Sequence, residues 1–156
     1  MSVRYFERTD AANIQKLITS GLLGAQIREV ERDEHDWVIS FSSGARLRIC
    51  CEWRIVSNDR ISLAGTDDGQ QFGLPAPVNG AAKAKELLGD KTIEQISIRP
   101  AVADLTIAFG PNTWLEIWNN SSGYEGWLFD AHGFEIVAQG GGQLSIWRPN
   151  GESEES

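Results

Sequence analysis

Histidine, methionine and cysteine are nearly missing from this chain: its 156 residues hold 2 His, 1 Met and 2 Cys. The two cysteines, Cys50 and Cys51, are neighbours. A disulfide framework or a zinc site needs more sulfurs at wider spacing, so neither is expected. On a strand, adjacent side chains point to opposite faces, and the pair reads as two free thiols in a reducing compartment. The histidines, His35 and His132, stand apart, each in a turn-like stretch. His35 falls in the charged run at positions 31–36, which reads as a solvated hairpin tip.

Positive charge is also scarce. Lys and Arg number 14 against 22 Asp and Glu, for a net charge of −8. Nucleic-acid binding needs clustered Lys and Arg, so this composition argues against it. No apolar run approaches the roughly 20 residues that span a bilayer. The first ten residues lack the apolar stretch of a signal peptide. A cytosolic protein with no membrane segment is therefore expected.

Catalytic motifs are missing as well. No serine has a nucleophile-elbow context, and no glycine-rich loop precedes a helix. Asp67-Asp68-Gly69 lacks the spacing of a calcium loop. Gly140-Gly141-Gly142 leads into a strand and reads as a turn or bulge. No cofactor or metal is expected.

What the chain does have is a patterned core. Apolar residues make up 41% of it, with 6 Trp, enough for one domain. Ala11, Ile14, Ile18 and Leu22 fall at helical spacing beside Leu17, predicting a helix over 11–22. Thr9 or Asp10 can cap its start and Gly21 or Gly24 its end. A second helix is expected from Gly80 or Ala81 to Leu88, capped by Asn79 and stopped by Gly89.

After each helix the period changes to two. Trp37, Ile39 and Phe41 alternate with other residues; Ser42-Ser43-Gly44 makes a turn; then Ala45, Leu47, Ile49, Cys51 and Trp53 share one face of a strand over 45–54. Further along, Leu105, Ile107 and Phe109, a turn at Gly110-Pro111-Asn112, then Leu115 and Ile117 repeat this order. Trp114, Glu116 and Trp118 take the opposite face. More strands are expected at 60–64, 126–129, 134–138 and 143–147.

The two halves align as a diverged repeat. Leu22-Leu23-Gly24, Ile27 and Val30 correspond to Leu87-Leu88-Gly89, Ile93 and Ile96, and the offset drifts from 65 to 68 residues. The expected fold is α+β, mainly antiparallel sheet with two short helices, built as two α-β-β-β-β repeats over about 10–72 and 79–147. The chain reads as a single domain over 1–156, with a disordered acidic tail at 149–156.

Residues unique to one copy are where function is sought. One such segment, 118–127, mixes amides, hydroxyls, a carboxylate and aromatics, a combination that can hold a sugar or peptide. The other is 66–75. If the halves meet about a pseudo-two-fold, Asp67, Asp68 and Gln71 face Asn119, Asn120 and Glu125 across one rim, with Tyr124 and Trp127 nearby. These eight residues are the candidate ligand or partner site. No catalytic residue is assigned.

The order of Leu-Leu-Gly, an alternating strand, Ser121 to Trp127 and Ala138 to Trp147 resembles small bacterial proteins of unknown function, over about 22–147. Acidic single-domain proteins of this kind resemble immunity proteins encoded beside secreted toxins. The resemblance implies a bacterial cytosolic binding protein and transfers no catalytic residue.

Three functions follow as expectations. The first is an interaction protein that meets a basic protein, or a small polar ligand, through its acidic rim. The second is a small hydrolase using Asp67, Asp68 or Glu125. The third is a structural homodimer built on Trp114 and Trp118, if their face is uncovered. The lack of a nucleophile, paired histidines and a metal cluster favours the first, for a monomer or a homodimer.

Overall fold

The computed structural model describes residues 4–149, so most of the expected acidic tail lies outside the described residues. Twelve strands and two helices form two antiparallel sheets, an α+β fold dominated by sheet. Helix α1 (Ala11–Leu22) begins where the Asp10 carboxylate accepts the Asn13 amide at 2.8 Å. Its Ile14, Ile18 and Leu22 are buried, as helical spacing requires. Helix α2 (Gly80–Leu88) is capped by Asn79, which accepts the Ala82 amide at 3.1 Å. It buries only Gly80, Ala84 and Leu88.

The strands are β1 (Arg4–Thr9), β2 (Ile27–Asp33), β3 (Asp36–Phe41), β4 (Arg46–Ile49), β5 (Glu52–Ser57), β6 (Arg60–Ala64), β7 (Gln95–Ile98), β8 (Leu105–Ala108), β9 (Thr113–Trp118), β10 (Trp127–Ala131), β11 (Phe134–Ala138) and β12 (Leu144–Pro149). The larger sheet has seven strands in the order β1-β12-β11-β10-β4-β3-β2. The smaller has five, in the order β6-β5-β9-β8-β7.

The strand expected over 45–54 is two strands in different sheets. Arg46–Ile49 lies in the larger sheet and Glu52–Ser57 in the smaller, with Cys50 and Cys51 at the corner between them. The alternation hides this break, because Leu47, Ile49, Trp53 and Ile55 all stay buried on either side of it. The first half therefore has five strands after its helix rather than four. Strand β1 was not expected at all; it pairs with β12 from the far end of the chain, from Arg4 opposite Pro149 to Thr9 opposite Leu144.

Helix α1 precedes the meander β2-β3-β4 of the larger sheet, and β5 and β6 then cross to the smaller; helix α2 precedes the meander β7-β8-β9 of the smaller sheet, and β10, β11 and β12 then cross to the larger. The larger sheet thus contains β4 hydrogen-bonded to β10, and the smaller β5 to β9. The inward faces of both sheets share one apolar core, which includes Phe41, Leu47 and Phe129 from one and Ile55, Ile107 and Leu115 from the other. Trp37 and Trp53 meet edge to face across it at 5.0 Å.

The helices close the sides of this sandwich rather than its faces. Helix α1 packs on the edge strand β7, where the Gln15 side chain accepts the Ile98 amide at 2.9 Å. Helix α2 packs on the edges β2 and β6, and Lys85 donates to the Arg28 carbonyl at 2.6 Å. Both helices are thus engaged with edge strands. The outer face of the five-stranded sheet carries polar and exposed side chains at alternate positions of β5, β7 and β9.

Candidate functional site

The eight residues singled out in the sequence fall into three groups. Asp67, Asp68 and Gln71 are occupied with backbone. The Asp67 carboxylate accepts the Ala64 amide at 2.9 Å, closing a single 3-10 turn over Gly65–Asp67. Asp68 accepts the first amide of α2, from Gly80, at 2.7 Å, and pairs with Arg32 at 2.8 Å. Gln71 donates to the Leu74 carbonyl at 2.9 Å.

Asn119 and Trp127 are buried. Asn119 is held by three hydrogen bonds: its amide donates to Asp104, and its side-chain nitrogen donates to the carbonyls of Val102 and Gln139. The Trp127 indole donates to the Ala103 carbonyl at 2.9 Å from within the core. Both side chains therefore tie loops together. The glycine triplet does the same. Gly140 packs against the backbone of Gly123, and a Cβ at Gly142, where φ is 98°, would overlap the backbone of Ala101 and Val102.

Asn120, Tyr124 and Glu125 are exposed. The Tyr124 amide donates to the Ser121 hydroxyl at 2.9 Å, a turn bond that leaves the ring projecting. Of the two facing segments, the structure brings Thr66 and Asn120 to one cleft of about 290 Å³, beside His35 and Cys50. Arg32 lies over the Trp37 ring at 4.5 Å on its wall. Asp67, Asp68 and Gln71 do not line this cleft.

A larger groove, of about 480 Å³, lies on the outer face of the five-stranded sheet. The register of β5, β9 and β8 builds it. Trp118 stands directly across from Glu52 of β5. Ile117 pairs with Leu105, the first residue of β8, and Asp104, just before that strand, lines the same groove as Trp118. The indole thus shares the groove with two carboxylates, and it is 62% exposed.

One step along the same strands, Arg54, Glu116 and Thr106 form the next row. The Arg54 guanidinium pairs with Glu116 at 2.6 Å. The row beyond is apolar: Val56, Trp114 and Ala108. On the neighbouring strand β6, Ile61 projects at 53% exposure. Strand alternation puts these side chains together: Leu115 and Ile117 fill the core, so Trp114, Glu116 and Trp118 must point out.

Reading one strand at a time cannot find Glu52 or Asp104 as part of this groove. Trp114 and Trp118 do announce an outward aromatic face in their own strand. Their acidic neighbours come from strands that only the tertiary register sets beside them.

Electrostatically, the groove holds three carboxylates, Glu52, Asp104 and Glu116, against the single cation Arg54. The two thiols line the smaller cleft instead. Burial pushes the Cys51 thiol up to about 12, helped by the nearby Cys50 sulfur. Burial and then the Asp36 charge push Cys50 up to about 11. Both sulfurs are therefore protonated and weakly nucleophilic at neutral pH. Among the described residues no three His, Cys, Asp or Glu side chains gather to hold a metal ion, and no helix is long and apolar enough to cross a membrane. No protein-family model, no curated protein and no solved structure matches the chain.

Proposed function

We propose that the protein is an interaction module that docks a basic protein on the outer face of its five-stranded sheet, in the manner of an inhibitor or an immunity protein. The observation that carries this reading is Trp118, a mostly exposed indole that shares a groove with Glu52 and Asp104 on a sheet face that neither helix packs on. An isolated exposed tryptophan is unremarkable. One that lines a groove with Ile61, amid Glu52, Arg54 and Asp104, is a docking patch, since apolar surface mixed with charge is the ordinary makeup of an interface. The net charge of −8 adds long-range attraction toward a cationic partner and speeds encounter.

Two of the three carboxylates expected of a hydrolase are used differently, and the third, Glu125, is exposed. Asp67 and Asp68 hold backbone amides and Arg32, which fixes the loop that joins β6 to α2.

Immobilised protein is exposed to cell lysate at low salt and eluted at high salt, in parallel with a Glu52→Gln, Trp118→Ala variant and a Glu29→Gln control in β2. Basic proteins retained by the parent and the control, and lost by the double variant, are the expected result. Identical retention by all three proteins overturns the assignment to this face. A concentration-dependent dimer that Trp118→Ala dissolves gives the face to a second copy and overturns the basic-partner reading.

A further inference from the structure

The groove is ordered along the strands, and the order specifies what fits it. We infer that Trp118, Glu52 and Asp104 form a box for a guanidinium group, filled by an arginine of an extended segment whose fourth residue on, in either direction, is apolar. This inference rests on the docking reading above and names the chemistry of the partner.

The first row supplies the box. An indole face attracts a cation through its quadrupole, and a planar guanidinium stacks on it better than a compact ammonium. Glu52, across from Trp118 on β5, and Asp104, just before β8, line the groove with the ring. A guanidinium stacked on the indole presents its N–H edges to both sides, where charge-assisted bonds to carboxylates are strongest. Glu52 has no ion-pair partner among the described residues. Asp104 spends one oxygen, Oδ1, on the Asn119 amide at 2.9 Å, which holds the carboxylate in place.

The second row resists a charged or bulky group. Arg54 and Glu116 already neutralise each other there, so the row offers a flat polar floor. The third row is Val56, Trp114 and Ala108, with Ile61 on the strand beside Val56. Alternate residues of a strand lie roughly 6.8 Å apart on one face. The distance from the Trp118 row to the Trp114 row is therefore the distance between residues i and i+4 of an extended segment lying along β9. Its residue i+2 rests over the ion pair and is best small or polar.

The test uses the whole protein, labelled with nitrogen-15, and follows the indole N–H resonance of Trp118, assigned by its loss in Trp118→Phe. The probes are N-acetyl-arginine amide, its neutral isostere N-acetyl-citrulline amide, and two peptides. The first peptide is arginine-glycine-serine-glycine-leucine, and the second has one further glycine before leucine. The expected result is a saturable shift with arginine amide that citrulline amide does not give, and that Glu52→Gln weakens without changing the thermal midpoint. The i+4 peptide binds roughly tenfold tighter than arginine amide, because leucine reaches the apolar row. The i+5 peptide does not gain.

Equal shifts from arginine and citrulline, or no shift from either, overturn the box. Equal gains from the two peptides overturn the spacing. If the Trp118 variant still loses capture of basic proteins while arginine amide leaves Trp118 unmoved, the docking face stands and the box alone fails. If capture never depended on Trp118, both fail together.

Discussion

Single residues carry much of what is unusual here, and the cysteine pair is the clearest case. An ordinary thiol titrates near 9.0, while burial holds the half-buried Cys51 at about 12; Cys50 is more exposed, and partial desolvation with the Asp36 charge brings it to about 11. Between those values the folded chain keeps protons that the unfolded chain has lost. The thiols' contribution to stability is therefore constant below about pH 9 and is lost as pH rises from there to about 12. Urea midpoints at pH 8 and pH 10.5 should show this loss, and replacing both cysteines by alanine should reduce it. Alkylation of the native protein by iodoacetamide should keep accelerating past pH 10; a plateau near pH 9 would contradict the burial argument. The free state of both thiols was legible in the sequence, because no third sulfur stood near them. Their position at a corner was not. Trp118 divides the same way: its outward direction follows from Leu115 and Ile117 beside it, but its neighbour Glu52 arrives only through the pairing of β5 with β9.

Elements were read more completely than their partners. Both helices fall where the spacing and caps place them, since Asp10 and Asn79 satisfy first-turn amides that would otherwise be orphaned. Strand β4 could not be separated from β5, because a chain that turns from one sheet to the facing sheet keeps the same side toward the core. Helix α2 has a second anchor invisible to helical periodicity. Asp68 accepts its leading Gly80 amide and pairs with Arg32 of β2, so one carboxylate joins helix, loop and sheet. Asp68→Ala should cost about 1–2 kcal/mol, the scale of a lost N-cap plus a half-exposed ion pair. Asp68→Asn should recover part of that through the amide bond alone. Chemical denaturation of the three proteins decides it, and a Asp68→Ala midpoint equal to the parent's would show that the anchor is idle.

At the scale of the molecule, each half ends in strands that complete the other half's sheet. The central contacts of both sheets, β4 with β10 and β5 with β9, join the two halves. A half alone would leave two of its strand edges unpaired and much of the shared core bare. Chains cut in the loop after Gly73 should therefore be unfolded as separate fragments and should regain strand circular dichroism when mixed. A cooperative thermal transition in either fragment by itself would count against this interlocking. Hydrophobic periodicity foretold the mainly antiparallel α+β fold. The crossing could not be foretold, because nothing in local periodicity records which sheet a strand joins.

The same crossing has a consequence for biosynthesis. On the ribosome, β4 and β5 emerge with their partners still unmade, and β1 waits for β12, near the end of the described chain. At about 5–20 residues per second, the exposed edges of the first half persist for on the order of several seconds. A nascent chain in that condition is a natural client for holdase chaperones, and its yield in a cell should follow their supply more closely than its final stability.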